Sequence, residues 1–122
     1  MVDEALSRMS LTEISEALVK REVSSQEVVR NSLEELEKRG PSLNCVARLF
    51  PEQALAEAES ADQELSSGIS PGPLHGVPLL HKDMFYRTGK ISACGSKICK
   101  DFVPDATATA LLKLDQAGAL DI

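Results

Sequence analysis

With 122 residues, 43% hydrophobic and 26% charged, the sequence has the composition of a soluble globular protein, long enough for one domain with a buried core. A net charge of −6, without Arg/Lys blocks interleaved with aromatics, excludes a nucleic-acid footprint; no apolar run reaches bilayer-spanning length. Four aromatics (Phe50, Phe85, Tyr86, Phe102) and no Trp leave Leu, Val, Ile and Ala to build the core.

In chain order, residues 1–9 carry little pattern and are expected to fray. Ser10-Leu11-Thr12-Glu13 has the form of a capping box, the Ser10 hydroxyl accepting from the Glu13 amide while the Glu13 carboxylate reaches back. Leu11, Ile14 and Leu18 follow at helical spacing and predict a short helix to about Lys20. Ser24-Ser25-Gln26-Glu27 repeats the device ahead of Val28, Val29, Leu33 and Leu36. Gly40-Pro41 is expected to end that second helix. Single apolar stripes of this kind suit helices covering a larger core, and they also suit a hairpin that docks on a partner. Leu43 to Phe50 reads as a strand. Pro51 fits the first turn of a helix and Glu52 its positive end, and Ala54, Leu55, Ala58, Ala61 and Leu65 give a small-residue face stopped by Gly68. Ser70-Pro71-Gly72-Pro73 is a turn rather than a linker, because apolar sequence resumes at once.

The next strand carries a lysine at its end. Alternation puts Lys82 on one face with Leu80 and Pro78, and Val77, Leu79 and His81 on the other. In an α/β sheet covered on both faces, Lys82 would enter a poorly solvated place, where desolvation disfavours an ammonium and frees an amine to accept a proton. An exposed Lys82-Asp83 charge pair is the competing expectation. Lys82, Arg87, Lys90, Lys97 and Lys100 form a basic cluster opposed locally only by Asp83, either solvated loop charge or a site that attracts an anion. Cys94 and Ser96 have no base nearby in sequence and no Gly-x-Ser-x-Gly elbow, so loop roles are expected for both. Asp105 is expected to cap a helix carrying Ala108, Leu111, Leu112 and Leu114, closed by Gly118; Ala119 to Ile122 then begins a strand.

Alternating helices and strands predict an α/β fold. Residues 1–122 read as a single incomplete domain: helices, one strand and an Ala-rich helix in 1–70, then the start of a sheet core in 71–122. Cys45, Cys94 and Cys99 are odd in number and lack zinc spacing, which suits free thiols in a reducing compartment. With no signal-peptide pattern at the N-terminus, a cytoplasmic protein is expected.

Gly72-Pro73-Leu74-His75-Gly76-Val77-Pro78 followed by Lys82-Asp83 resembles the lysine motif of the amidase signature family. The likeness continues in order through Leu11-Thr12-Glu13-Ile14-Ser15, Glu22 to Ser25, Leu43-Asn44-Cys45-Val46, Ala54 to Leu65, Cys94-Gly95-Ser96, Asp105-Ala106-Thr107-Ala108 and Ala117-Gly118-Ala119. It implies the N-terminal part of the amidase signature fold, a mixed sheet core covered by helices and truncated here. It implies hydrolysis of amide bonds by a Ser–cis-Ser–Lys triad, with Lys82 matching the lysine that deprotonates the bridging serine. Both serines belong to a Gly/Ser-rich segment downstream of the lysine, which this sequence does not contain. The resemblance therefore implies the N-terminal segment of an amidase for a small-molecule amide, with no cofactor or metal, inactive by itself and open to homo-oligomer formation. Two alternatives stand beside it: a non-catalytic binding or assembly subunit, and part of the amidase subunit of a tRNA-dependent amidotransferase. His81 stands where Val or Ile is more usual, and a second titratable group there could act on the lysine. A metal role for His75 and His81 lacks a carboxylate or third ligand to support it.

Overall fold

Asp3 starts the first helix, seven residues before the first capping box. In the computed structural model, which describes residues 2–122, Asp3 Oδ1 accepts from the Ala5 and Leu6 amides and opens α1 (Glu4–Arg8). The fraying expected for residues 1–9 therefore does not extend to this helix. Leu6 is buried with Leu18, Val28 and Val77, and the Asp3 amide donates to Asn31 Oδ1 at 2.6 Å.

Both capping boxes form. Ser10 opens α2 (Leu11–Lys20) and Ser24 opens α3 (Ser25–Leu43), each hydroxyl accepting from the glutamate amide three residues on. Glu13 and Glu27 accept in turn from the Ser10 and Ser24 backbone amides at 2.7 and 2.8 Å. Those backbone bonds first, and the serine hydroxyls second, hold both carboxyls below the ordinary glutamate range.

α3 overruns the stop expected at Gly40-Pro41. The helix continues to Leu43, and Asn44 caps it in the left-handed region at φ 49°, its amide bonded to the Gly40 and Pro41 carbonyls. A proline so near the end removes one donor without stopping the last turn. Gly40 serves packing instead: a Cβ there would lie 2.9 Å from Val46 Cγ2. The strand expected over residues 43–50 is absent for a related reason. Leu43 belongs to α3, Asn44 turns the chain, and no strand among the described residues lies alongside to give it a ladder.

α4 (Pro51–Ser66) follows with Pro51 in its first turn, and it buries Ala54, Ala58 and Ala61 on one face. Methyl groups at that spacing let α4 pack closely on α3. A parallel pair closes the fold: β1 (Pro78–Leu79) lies beside β2 (Leu120–Asp121), in register Pro78↔Leu120 and Leu79↔Asp121. α5 (Thr109–Gln116) makes the crossover between them. Asp105 does not cap α5; Ala108 is the cap residue, without a side-chain bond. Residues 105–108 are tied instead to the loop after β1, the Ala108 amide bonding the Tyr86 carbonyl and Thr107 Oγ1 accepting from the Thr88 amide. Gly118 ends α5 at φ 91°, where a Cβ would sit 2.6 Å from His75 Cα.

Two apolar clusters meet at α3. One joins Val29 and Leu33 to Ala54 and Ala58 of α4 and to Leu120 and Ile122; the other joins Val28 to Leu6, Leu18 and Val77. α3 thus covers the parallel pair, which is the core-covering role its apolar stripe suits. No helix among the described residues is long and apolar enough to cross a membrane.

Candidate active site

The last ladder bond runs from the Ile122 amide to the Leu79 carbonyl, so β1 stops three residues short of Lys82. Beyond it, His81, Lys82 and Asp83 enter the wall of a cleft of about 250 Å³ that Arg48, Phe50 and Lys90 also line. Lys82 is exposed, and its side chain makes no ion pair or hydrogen bond with any described residue. The burial expected from strand alternation is therefore not met. The strand is too short to carry Lys82 between two covered faces.

The competing Lys82-Asp83 pair does not form either. Asp83 Oδ1 takes a charge-assisted bond from Arg48 and Asp83 Oδ2 accepts from the Ala93 amide at 3.2 Å, while Arg48 also donates to the Ile91 carbonyl at 3.0 Å. The segment that failed as a strand thus contributes its arginine to fix the residue after the lysine.

The residue before the lysine is fixed as well. His81 Nδ1 lies 2.9 Å from Asp121 Oδ1, and the Asp121 side chain is only 9% exposed. Its Oδ2 meets Arg87 Nε at 2.9 Å and Lys90 Nζ at 3.0 Å. Arg87 makes a two-pronged contact with Asp115 at 2.9 and 3.1 Å, and Lys90 Nζ sits 3.8 Å over the Phe50 ring. The Asp115 bonds, aided by the Asp121 charge, raise the Arg87 affinity for its proton against the desolvation around it.

The basic cluster read from the sequence is accordingly opposed by more than Asp83. Arg87 and Lys90 are neutralised by Asp121 and Asp115, some 30 residues downstream, and Lys100 meets Asp101 at 3.8 Å in the open. Among the described residues, Lys82 is the one cation lining the cleft with no carboxylate beside it. An unpaired cationic side chain between two anchored neighbours can hold an anionic group.

Each histidine does have a carboxylate, contrary to the sequence expectation. His75 is buried with Nε2 3.1 Å from Glu64 Oε2, and His81 has Asp121. No group of three or more described His, Cys, Asp or Glu residues could hold a metal ion. Cys94 is exposed at φ 52°, and Ser96 Oγ accepts from the Ile98 amide, which are turn roles. Sequence reasoning missed Arg48 and Asp121. A carboxylate inside an otherwise apolar strand end was the available signal, because buried charge demands partners.

The family model described as Amidase matches residues 27–122. A glutamyl-tRNA(Gln) amidotransferase subunit from Azoarcus sp. (strain BH72) is 40% identical over 113 residues, which are 93% of this chain and 23% of that protein. The native peptide amidase from Stenotrophomonas maltophilia matches with a TM-score of 0.83 at 31% identity, over 95% of this chain and 24% of that one. Fatty acid amide hydrolase matches with a TM-score of 0.89 at 27% identity, over 96% and 21%. The chain spans about a quarter of the length of the relatives it matches.

Proposed function

This chain belongs to the amidase family, and from that premise we propose that it forms the lysine-bearing part of an enzyme hydrolysing the carbon–nitrogen bond of a small-molecule amide. Lys82 is the proton acceptor of that enzyme. The observation that carries this is its isolation: it stands in the family's lysine motif, at a cleft, with the flanking charges of Asp83 and Asp121 already neutralised.

Residues 1–122 act as one incomplete domain. The two serines that the family's chemistry needs, one attacking the carbonyl and one relaying its proton to Lys82, come from chain outside this sequence. That additional chain covers the exposed face of Lys82, withdrawing the amine from water. On its own the 122-residue chain does not turn over amides. Three free thiols, two of them exposed, support a reducing, cytoplasmic setting.

The test is amide hydrolysis by the product of the complete reading frame, wild type against Lys82→Met. We expect kcat to fall by about 10²–10⁴, the range for loss of a general base, with the fold intact. Undiminished turnover in the variant overturns the assignment. The 40% identity to an amidotransferase subunit favours a second reading, in which the same lysine serves a tRNA-dependent amidotransferase. Ammonia release that requires glutamyl-tRNA(Gln) would select it over a free-standing amidase.

A further inference from the structure

We propose that His81 and Asp121 form a proton-holding dyad in the wall of the Lys82 cleft, in which Asp121 fixes the imidazole as its Nδ1–H tautomer and leaves Nε2 to take a hydrogen-bond donor or a proton. Only the consequence for catalysis rests on the amidase assignment. The dyad itself rests on geometry.

Asp121 Oδ2 is occupied by Arg87 and Lys90, so Oδ1, 2.9 Å from His81 Nδ1, is the oxygen left for the ring. A carboxylate facing two cations is an acceptor only, so the shared proton sits on Nδ1. His81 Nε2 has no partner among the described residues, and His81 lines the cleft together with Lys82. An amide N–H is a donor of the kind that Nε2 would take.

The surrounding charges make the ring's proton count. Lys82 and Asp83 follow it on its own segment, and Arg48, paired with Asp83, lines the same cleft from residues 45–50. Arg87 and Lys90 come from the loop after β1, Asp121 from β2, and Asp115 from α5; Glu57 of α4 adds its charge on the Arg87 side. Arg48 is paired with Asp83, and Arg87 and Lys90 are paired with Asp115 and Asp121. A proton on His81 would therefore add a positive charge next to Lys82, the cleft cation without a carboxylate beside it.

The sequence holds two histidines, so ring-nitrogen NMR on the ¹⁵N-histidine-labelled chain resolves both, with His75→Gln assigning the pair. At a pH where the ring is neutral, we expect His81 to favour Nδ1–H by about tenfold or more, as a charge-assisted bond dictates. Asp121→Asn should erase most of that preference; should the variant lose its fold, the wild-type ratio decides alone. A free-histidine mixture in the wild-type chain overturns the dyad, whether the ring has turned away or the chain does not hold this arrangement. A locked ring in an enzyme whose hydrolysis ignores Lys82 leaves the dyad standing and sinks the amidase assignment. An unlocked ring beside Lys82-dependent hydrolysis does the reverse.

Discussion

The Ser25 hydroxyl donates to the Gly76 carbonyl at 2.6 Å across 51 residues of chain, and both residues are buried. The bond fastens the start of α3 to the turn that feeds β1. Gly76 is held at φ 79°, and a Cβ there would come 3.0 Å from Ser25 Oγ, so the two positions fit each other.

Ser25→Ala leaves that carbonyl buried without its donor. Stability should fall by about 1–3 kcal/mol, the cost of an unsatisfied buried acceptor. Urea denaturation measures it. A loss below about 0.5 kcal/mol would mean that water or a shifted turn replaces the hydroxyl at little cost.

Asp62 of α4 holds the same helix start. Its Oδ1 accepts from the Ser25 amide at 2.6 Å and its Oδ2 from the Gln26 amide at 3.1 Å, while Ser24 Oγ takes the Glu27 amide. The first free donors of α3 are thereby all satisfied, two of them by a charge placed at the positive helix end. Asp62→Ala should cost about 0.5–2 kcal/mol and lower the thermal midpoint. An unchanged midpoint would show that the cap bonds are replaced by solvent.

Acid should loosen the starts of α2 and α3. Glu13 and Glu27 have folded-state pKa values depressed by their capping bonds, so their contribution is present above the ordinary glutamate value and lost as pH falls through the depressed one. Helical ellipticity followed from neutral pH into that acid window should decline. A Glu13→Gln, Glu27→Gln double variant keeps the hydrogen-bonding shape without the titration and should decline less. Coincident acid curves would show that other groups govern the transition.

The isolated 122-residue chain should self-associate. Leu80, Met84, Phe85, Tyr86, Phe102 and Val103 are all at least 40% exposed, and the Tyr86 and Phe102 rings meet at a tilt with centroids 5.3 Å apart. So much apolar surface between residues 80 and 103 favours contact with any complementary face. Sedimentation should depend on concentration, and Met84→Ser with Phe102→Ser should shift the chain toward monomer. A concentration-independent monomer with a sharp thermal transition contradicts this.

Much of this architecture was legible because it is written locally. The serine-to-glutamate spacings fix both capping boxes, and the small residues from Ala54 to Ala61 announce a close-packed helix. What failed depended on distant partners. Among the described residues, residues 43–50 have strand composition but no neighbouring strand, and Asp105 caps no helix because its segment is bound to residues 86–88. The motif around Lys82 was legible, and so was exposure as one of its two expected environments; the choice between them was not, since it turned on β1 being two residues long and on Arg48 taking Asp83. The clamps around it escaped notice because Arg48 and Asp121 lie 34 and 39 positions from it, and only folding brings them to its neighbours.

β2 and the residue after it present Leu120 and Ile122 to the α3–α4 core and Asp121 to the basic side chains on the opposite face. A slip of one residue would drive the carboxylate into hydrocarbon and leave His81, Arg87 and Lys90 without it. The alignment of this pair is therefore specified by charge as well as by hydrocarbon, since the carboxylate and the apolar side chains each fit one face only.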